Sequence, residues 1–406
     1  TLKWETITPN AQGDWINQRD PNYESWQSIG EGQVPVFASY TAGVQTNRDA
    51  WVYNFSLPGL RDSAQRLIET YNEERERVHR TRAADLKAGA KVRDLVTNDE
   101  TRIKWTSGLF SDLAKNRAIS YDAGATYCGL YRPFCKQWLN ASDGIIHRPA
   151  VLHRYFPTPG HDNIGFYLTG VSSHYDFGAL IVDTVPNLHV LDTGQFFPRW
   201  TWEPVGGRHA AEAGMLDLSG GKDAEESDGA VGQEGEVLGG YRRVDNITDA
   251  TLRSYQAAYG PEVTKDDVFY YVYALLHSPE YRTRYGADLR KSLPHISLVA
   301  SREDFVAFTT AGRGLADLHL NYESVKPTPL SLVVDGQDVS WDLRETISPS
   351  LLQVEKMRYA RVRRDGRLED DKTSIVYNEH VTISGIPAQA QDYLLGSRSV
   401  LDWLLD

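Results

Sequence analysis

Hydrophobic positions along the chain fall into blocks whose period changes from one stretch to the next. Leu60, Ala64, Leu67, Ile68, Tyr71 and Val78 recur at three- and four-residue steps, with Glu and Arg between them. That spacing predicts one long amphipathic helix. Its outward string NEERERVHRTR reads as a solvated face laced with ion pairs. Just before it, Trp51, Tyr53 and Phe55 alternate, the period of a strand with one aromatic face. The opening segment is turn-rich and polar up to a short buried run, VPVFASYTAG. Between Ile103 and Asp192 the strand-like runs are IGFYLTGV, GALIVDTV and LHVLDTG.

Caps mark a helical unit further on. Thr248 precedes DATLRSYQAAY, which stops at Gly260-Pro261, and Thr264 precedes KDDVFYYVYALLH. Ser278-Pro279-Glu280 and Ser301 open two more helices, the last running toward Glu323. Beyond it, EKMRYARVRRDGRLEDDKTSIVYNEHVTISG predicts two extended arms joined at Asp365-Gly366, and RSVLDWLLD a short final helix. The fold expected is α+β: mixed β-sheet units, a long amphipathic helix and an inserted helical subdomain. The expected division is an N-terminal α+β recognition region (1–205), a Gly-rich acidic linker (206–245), a helical subdomain (246–325) and a C-terminal strand region (326–406).

Charge changes this picture in one place. The formal charge is −12, which argues against a simple nucleic-acid binder. From Asp217 to Glu236, however, seven acidic residues face only Lys222, so half of the excess sits in one Gly-rich stretch and local basic patches remain possible elsewhere. No apolar run reaches the roughly 18 residues of a membrane span. Cys128 and Cys135 cannot build a disulfide framework, so a reduced, cytoplasmic chain is expected. On that expectation the sequons at Asn54, Asn140 and Asn246 carry no sugar. The chain opens on Thr1 rather than Met, as expected for a piece of a longer polypeptide.

Catalytic signatures fail in turn. Gly221-Lys222 is followed by Asp223, not by the hydroxyl of a phosphate loop, and no His pair has zinc-protease spacing. No nucleophile elbow occurs. Gly312 and Gly314 lie inside a predicted helix, where packing explains them. Asp20-Pro21-Asn22-Tyr23 resembles the loop with which amino-methylating DNA enzymes hold a flipped base, but Asn22 replaces its second proline; it reads as a turn.

What remains suits a polyanion. YRPFCKQW offers Arg132 and Lys136 for phosphates and Gln137 for a base edge, unless its aromatics are core and its cations only cover them. Asn47-Arg48 and Lys104-Trp105 are weaker mixtures of the same kind. The arm holding Lys356, Arg358, Arg361, Arg363, Arg364 and Arg367 is the densest basic stretch. A two-stranded ribbon of this kind fits a major groove, and equally serves as a charged edge that discourages aggregation.

Several strings together resemble the C-terminal specificity region of Type ISP restriction–modification enzymes: TNRDAWVYNFS, YRPFCKQWL, DVFYYVYALLHSPEYRTRYGADLRKSLPHI, GRGLADLHLNYE and YNEHVTISGIP, spread over nearly the whole chain. The Gly206–Gly240 stretch lies outside the resemblance, and LNASDGIIHR departs from the more aromatic and basic run expected there. The resemblance implies a non-catalytic target-recognition domain for duplex DNA, preceded in the same polypeptide by a methyltransferase domain. S-adenosylmethionine, ATP and Mg would then serve the parent enzyme, with no cofactor in this fragment. The DNA-contacting candidates are Asn47, Arg48, Lys104, Arg132, Lys136, Gln137, Arg358, Arg361, Arg363 and Arg364. A structural module coupling the parent's domains is the alternative, and a carbohydrate-acting protein a third, disfavoured by the same strings.

Overall fold

The computed structural model describes residues 6–405 apart from 12, 17, 151, 172, 206–234 and 355. Its centre is a four-stranded antiparallel sheet ordered Thr41–Ala42, Gly194–Pro198, Gly165–Thr169, Ala179–Val182. Gly165–Thr169 and Ala179–Val182 are buried on both faces, which is why they read as unbroken apolar runs rather than alternating ones. Phe166 points to one side, stacked on Phe269 at 4.2 Å and Tyr273 at 5.2 Å. Tyr167 points to the other and donates to the Leu188 carbonyl.

The two faces therefore seed two cores. One gathers Phe166, Leu168 and Ile181 with the helices Asp249–Tyr259, Lys265–His277 and Arg302–Leu320. The other gathers Tyr167, Leu180 and Val182 with the long helix Leu57–Thr81 and the hairpin Thr126–Arg132/Cys135–Asn140. The helices pack on one another through Tyr255, Tyr271 and Phe305 and, in the same cluster, cover one face of the central sheet, so the core continues across the expected division at 245/246. A smaller cluster of Tyr359, Ile375 and Ile386 underlies the C-terminal five-stranded sheet.

The cap signals match the helix starts. Ser56, Thr248, Thr264, Ser278 and Ser301 each accept from a backbone N–H of the first turn, and Thr264 forms a reciprocal capping box with Asp267. On the long helix Glu74 pairs with Arg77 at 2.8 Å, and Glu73 with Arg102 at 2.9 Å. Gly312 is required by packing, since a Cβ there would lie 2.0 Å from the Tyr270 carbonyl oxygen; Gly314 meets nothing within 4 Å.

Three expectations are corrected. The Trp51–Tyr53–Phe55 alternation is not a strand: Asp49–Val52 form a helical turn, and only Tyr53–Asn54 are extended. The Thr46 hydroxyl, donating to the Asp49 carboxylate and accepting from the Arg48 amide, winds that turn. LHVLDTG is likewise a turn, closed by the Val190 N–H to the Asn187 carbonyl and by Asp192 at φ 62°. Of the acidic linker, 206–234 lies outside the described residues, but Tyr241–Asp245 is a strand paired onto Trp200–Pro204, and Val237–Leu238 a strand paired onto Tyr241–Arg242. Tyr23 of the Asp20–Tyr23 turn is fully buried against Tyr281 and Tyr285, which makes that string structural.

Candidate nucleic-acid interface

The basic arm is the most exposed regular structure near the C-terminus. Arg358–Arg364 pairs with Arg367–Val376 through a two-residue turn in which Asp365 (φ 48°) and Gly366 (φ 80°) are both left-handed. That turn matches strand twist and fixes Arg364 opposite Arg367. Only Ser374–Val376 also pair with the neighbouring strand Val381–Ser384. The rungs from Ala360/Asp371 to Arg364/Arg367 are thus held only by each other, as a free-standing ribbon. Arg361 reaches Asp370 across the ribbon at 3.3 Å. Arg358, Arg363, Arg364 and Arg367 are exposed, with no carboxylate within 4 Å among the described residues. Arg364 and Arg367, directly opposite, repel each other, a cost that an anion at the tip removes.

The segment around Phe134 behaves differently. Phe134 turns the hairpin at φ 56° and packs its ring on Tyr322 at 5.0 Å, His319 at 5.8 Å and Tyr393 at 6.3 Å. Lys136 is committed inside the chain, 3.2 Å from Asp183 and 5.7 Å above the Tyr322 ring. Gln137 is partly buried opposite Gly129. Arg132 lies over the Tyr131 ring at 4.3 Å without an ion pair among the described residues, and Trp138 keeps 37% of its surface exposed. Packing claims Phe134 and Lys136; Arg132 and Trp138 stay at the surface.

Asn47, Arg48 and Lys104 come together, though not as expected. Arg48 is 2% exposed and donates to the Thr106 hydroxyl, so it is no direct contact for a ligand. Its burial follows from the Thr46–Asp49 turn, which folds the guanidinium under the loop. Asn47 is exposed at φ 57°, and Lys104 is exposed two residues before Thr106. Residues 147–148 join them: Gln45 and Arg148 exchange both backbone hydrogen bonds, at 2.9 and 2.8 Å. The sequence reading missed His147-Arg148. Their only signal was a basic dipeptide inside LNASDGIIHR, and its meaning depends on a crossing that no local pattern encodes.

Among the described residues no group of three His, Cys, Asp or Glu side chains is placed to hold a metal ion, and no helix is long and apolar enough to cross a membrane. Cys128 and Cys135 are free thiols. The sequons at Asn140 and Asn246 are structural: both side chains are buried, donating to Asp122 and Thr126 and to Ser39 and Pro198 respectively.

Similarity to known proteins agrees with this picture. Three solved structures resemble the chain throughout. A nuclease-deletion mutant of the Type ISP restriction-modification enzyme LlaGI, in complex with a DNA substrate mimic, is 28% identical at a TM-score of 0.70, covering 100% of this chain and 32% of that one. The ATP-dependent Type ISP enzyme LlaBIII bound to DNA is 26% identical at 0.70, covering 98% and 22%. The DrdV–DNA complex is 26% identical at 0.72, covering 100% and 35%. This chain therefore spans about a fifth to a third of each. No curated protein matches it. The family model for the Type ISP C-terminal specificity domain matches residues 35–406, from the first buried segment through the central sheet, the helical wall and the ribbon, and the chain belongs to that family.

Proposed function

We propose that this chain reads a short site on duplex DNA on behalf of a larger enzyme. The observation that carries the reading is the likeness, over 98–100% of the chain, to enzymes solved with DNA or a DNA mimic. The ribbon supports it physically. It is narrow enough for a major groove, and Arg358, Arg363, Arg364 and Arg367 are exposed along it. Arg358, Arg361, Arg363 and Arg364 hold phosphates or base edges there, while Asn47, Lys104, Arg132 and Gln137 lie along the remaining surface. Phosphate contacts set position, and a few polar groups at base edges set sequence. In the complete enzyme a preceding methyltransferase domain, using S-adenosylmethionine, receives the adenine so located and flips it from the stack. ATP and Mg serve cleavage elsewhere in that enzyme.

The test is a selection from random duplexes with the chain itself, followed by a salt titration of the winning site. A defined consensus and a steep log–log salt slope are expected. Arg361→Ala/Arg363→Ala/Arg364→Ala should weaken binding at least tenfold and flatten the slope by about 2 to 3. Unselective binding, or none, refutes the reading.

One observation favours a second reading, a coupling module. A groove of about 430 Å³ opens between the helices Lys265–His277 and Arg302–Leu320, lined by Ala274, Ala307, Phe308, Ala311 and Leu315. DNA binding without selectivity, together with a footprint of a partner domain on that groove, would favour it.

A further inference from the structure

Two arginines are almost wholly buried among the described residues, and their situations differ. Arg199 is 3% exposed and meets Asp245 at 2.5 Å and Asp266 at 3.0 Å, so its charge is neutralised within the chain. Arg48 is 2% exposed and meets no carboxylate. Its Nη2 donates to the Thr106 hydroxyl, while Nε and Nη1 are buried without a partner. The adjacent Asp49 forms no ion pair with it among the described residues; its carboxylate accepts from the Thr46 hydroxyl instead. Burial alone lowers the guanidinium to about 10, so it stays charged at neutral pH. A buried charge without a counter-ion is costly, and an anion bound at the surface above it would offset that cost.

The surface above Arg48 shows what answers it. The Arg48–Thr106 bond brings Lys104 near the Thr46–Asp49 turn, and the Gln45–Arg148 bridge brings His147 and Arg148 to the same turn. His147 Nδ1 is buried and unpartnered, and burial, then Arg148 and Arg48, push the pKa of its imidazole down. Thr106 also caps the helix Ser107–Ala114, whose first turn contains no acid. These two links carry Asn47, Lys104 and His147-Arg148, from three distant segments, to one turn whose one acid, Asp49, is held by Thr46, over a low-dielectric interior that screens the Arg48 field poorly.

We propose that Lys104, Asn47 and the dipeptide His147-Arg148 form a seat for a backbone phosphodiester of nucleic acid, with Arg48 beneath it as a fixed, non-contacting positive charge. This rests on the reading of the chain as a DNA-recognition domain. Lys104 and Arg148 meet the phosphate, Asn47 adds a side-chain amide at the turn, and Arg48 positions the anion through its field. The seat reads no base and adds affinity equally to every sequence.

The test uses the 406-residue chain, duplex oligonucleotides over a range of NaCl, and inorganic phosphate as a second ligand followed by thermal shift. Lys104→Ala/Arg148→Ala should weaken binding to selected and unselected duplexes alike, by roughly tenfold at low salt, and flatten the log–log salt slope by about 1 to 2. Arg48→Met, with both surface cations intact, should weaken binding in the same sequence-independent way, and Arg48→Lys should restore most of it. If Arg48→Met fails to fold, the surface double variant decides alone. Unchanged affinity and slope in the double variant, with binding still lost in the ribbon variant, overturn the seat and leave DNA recognition standing. Phosphate stabilisation lost in the double variant while duplex binding stays intact assigns the seat to a free anion and overturns the proposal. Absence of duplex binding by the wild-type chain overturns both.

Discussion

Single side chains decide how the polar interior behaves, and His319 is the clearest case. The Ile181 amide donates to the Tyr273 hydroxyl at 3.0 Å, and that hydroxyl lies 2.5 Å from His319 Nδ1. Tyr273 has no other acceptor beside it among the described residues, so it donates to Nδ1. Nε2 then carries the proton and donates to Tyr393 at 2.6 Å. Burial, and secondarily Arg282, lowers the imidazole from 6.5 to about 4; His277, facing it at 5.6 Å, is pushed down by burial as well. A histidine whose folded pKa lies below its unfolded one takes up its proton more readily unfolded. Stability should therefore be whole above about pH 6.5, fall as pH drops, and stop falling on this account near pH 4. The His319 contribution to that loss is about 3 kcal/mol. Urea titrations at pH 7.5 and 4.5 should show a clearly smaller loss for His319→Gln; an equal loss would exclude His319 as the source. A second residue-scale contrast lies on the same helix as His319. Gly312→Ala should cost about 2 kcal/mol through collision with the Tyr270 carbonyl. Gly314→Ala, in open space on the same helix, should stabilise by about 0.5–1 kcal/mol. Thermal melts of the two variants check both.

At the scale of elements, the ribbon and the hairpin show how similar composition leads to different roles. Both carry cations among apolar residues. The hairpin tip is held by Phe134 against Tyr322 and His319, and its Lys136 is answered by Asp183. The ribbon tip has no such neighbour, so its arginines stay available. One of its own acids moderates it: Asp370 holds Arg361. Asp370→Asn should tighten duplex binding by roughly twofold to fivefold at low salt, the equivalent of the about 0.5–1 kcal/mol of one exposed pair. The gain should vanish at high salt, which a binding isotherm at two ionic strengths would reveal. Caps act at the same scale. Thr264→Ala removes the hydroxyl half of a capping box, leaving the Thr264 amide on the Asp267 carboxylate, and should cost about 1 kcal/mol by chemical denaturation.

For the molecule as a whole, the central sheet is the organising feature. Because Phe166 serves the core shared with the helices and Tyr167 the core shared with the long helix, neither side can lose its packing alone. Tryptophan fluorescence and far-UV circular dichroism should therefore report coincident thermal midpoints. Phe166→Ala, at a fully buried position, should lower both together, by about 3–5 kcal/mol. Separate midpoints would instead support an independent helical subdomain.

Helix positions, caps and the ribbon turn were legible in the sequence because each is set by interactions within about four residues: the helical period, a hydroxyl reaching the first-turn amides, two left-handed residues at Asp365-Gly366. Family-specific strings carried the functional direction in the same linear way. Neutralisation and exposure were not legible. Lys136 is answered by a carboxylate 47 residues away, and Arg48 is anchored to a hydroxyl 58 residues away. Such pairings are fixed by how the chain crosses itself. Tertiary structure alone decided which basic residues remain free to meet an anion, because a charge's energy depends on everything near it in space and hardly at all on its neighbours in the chain.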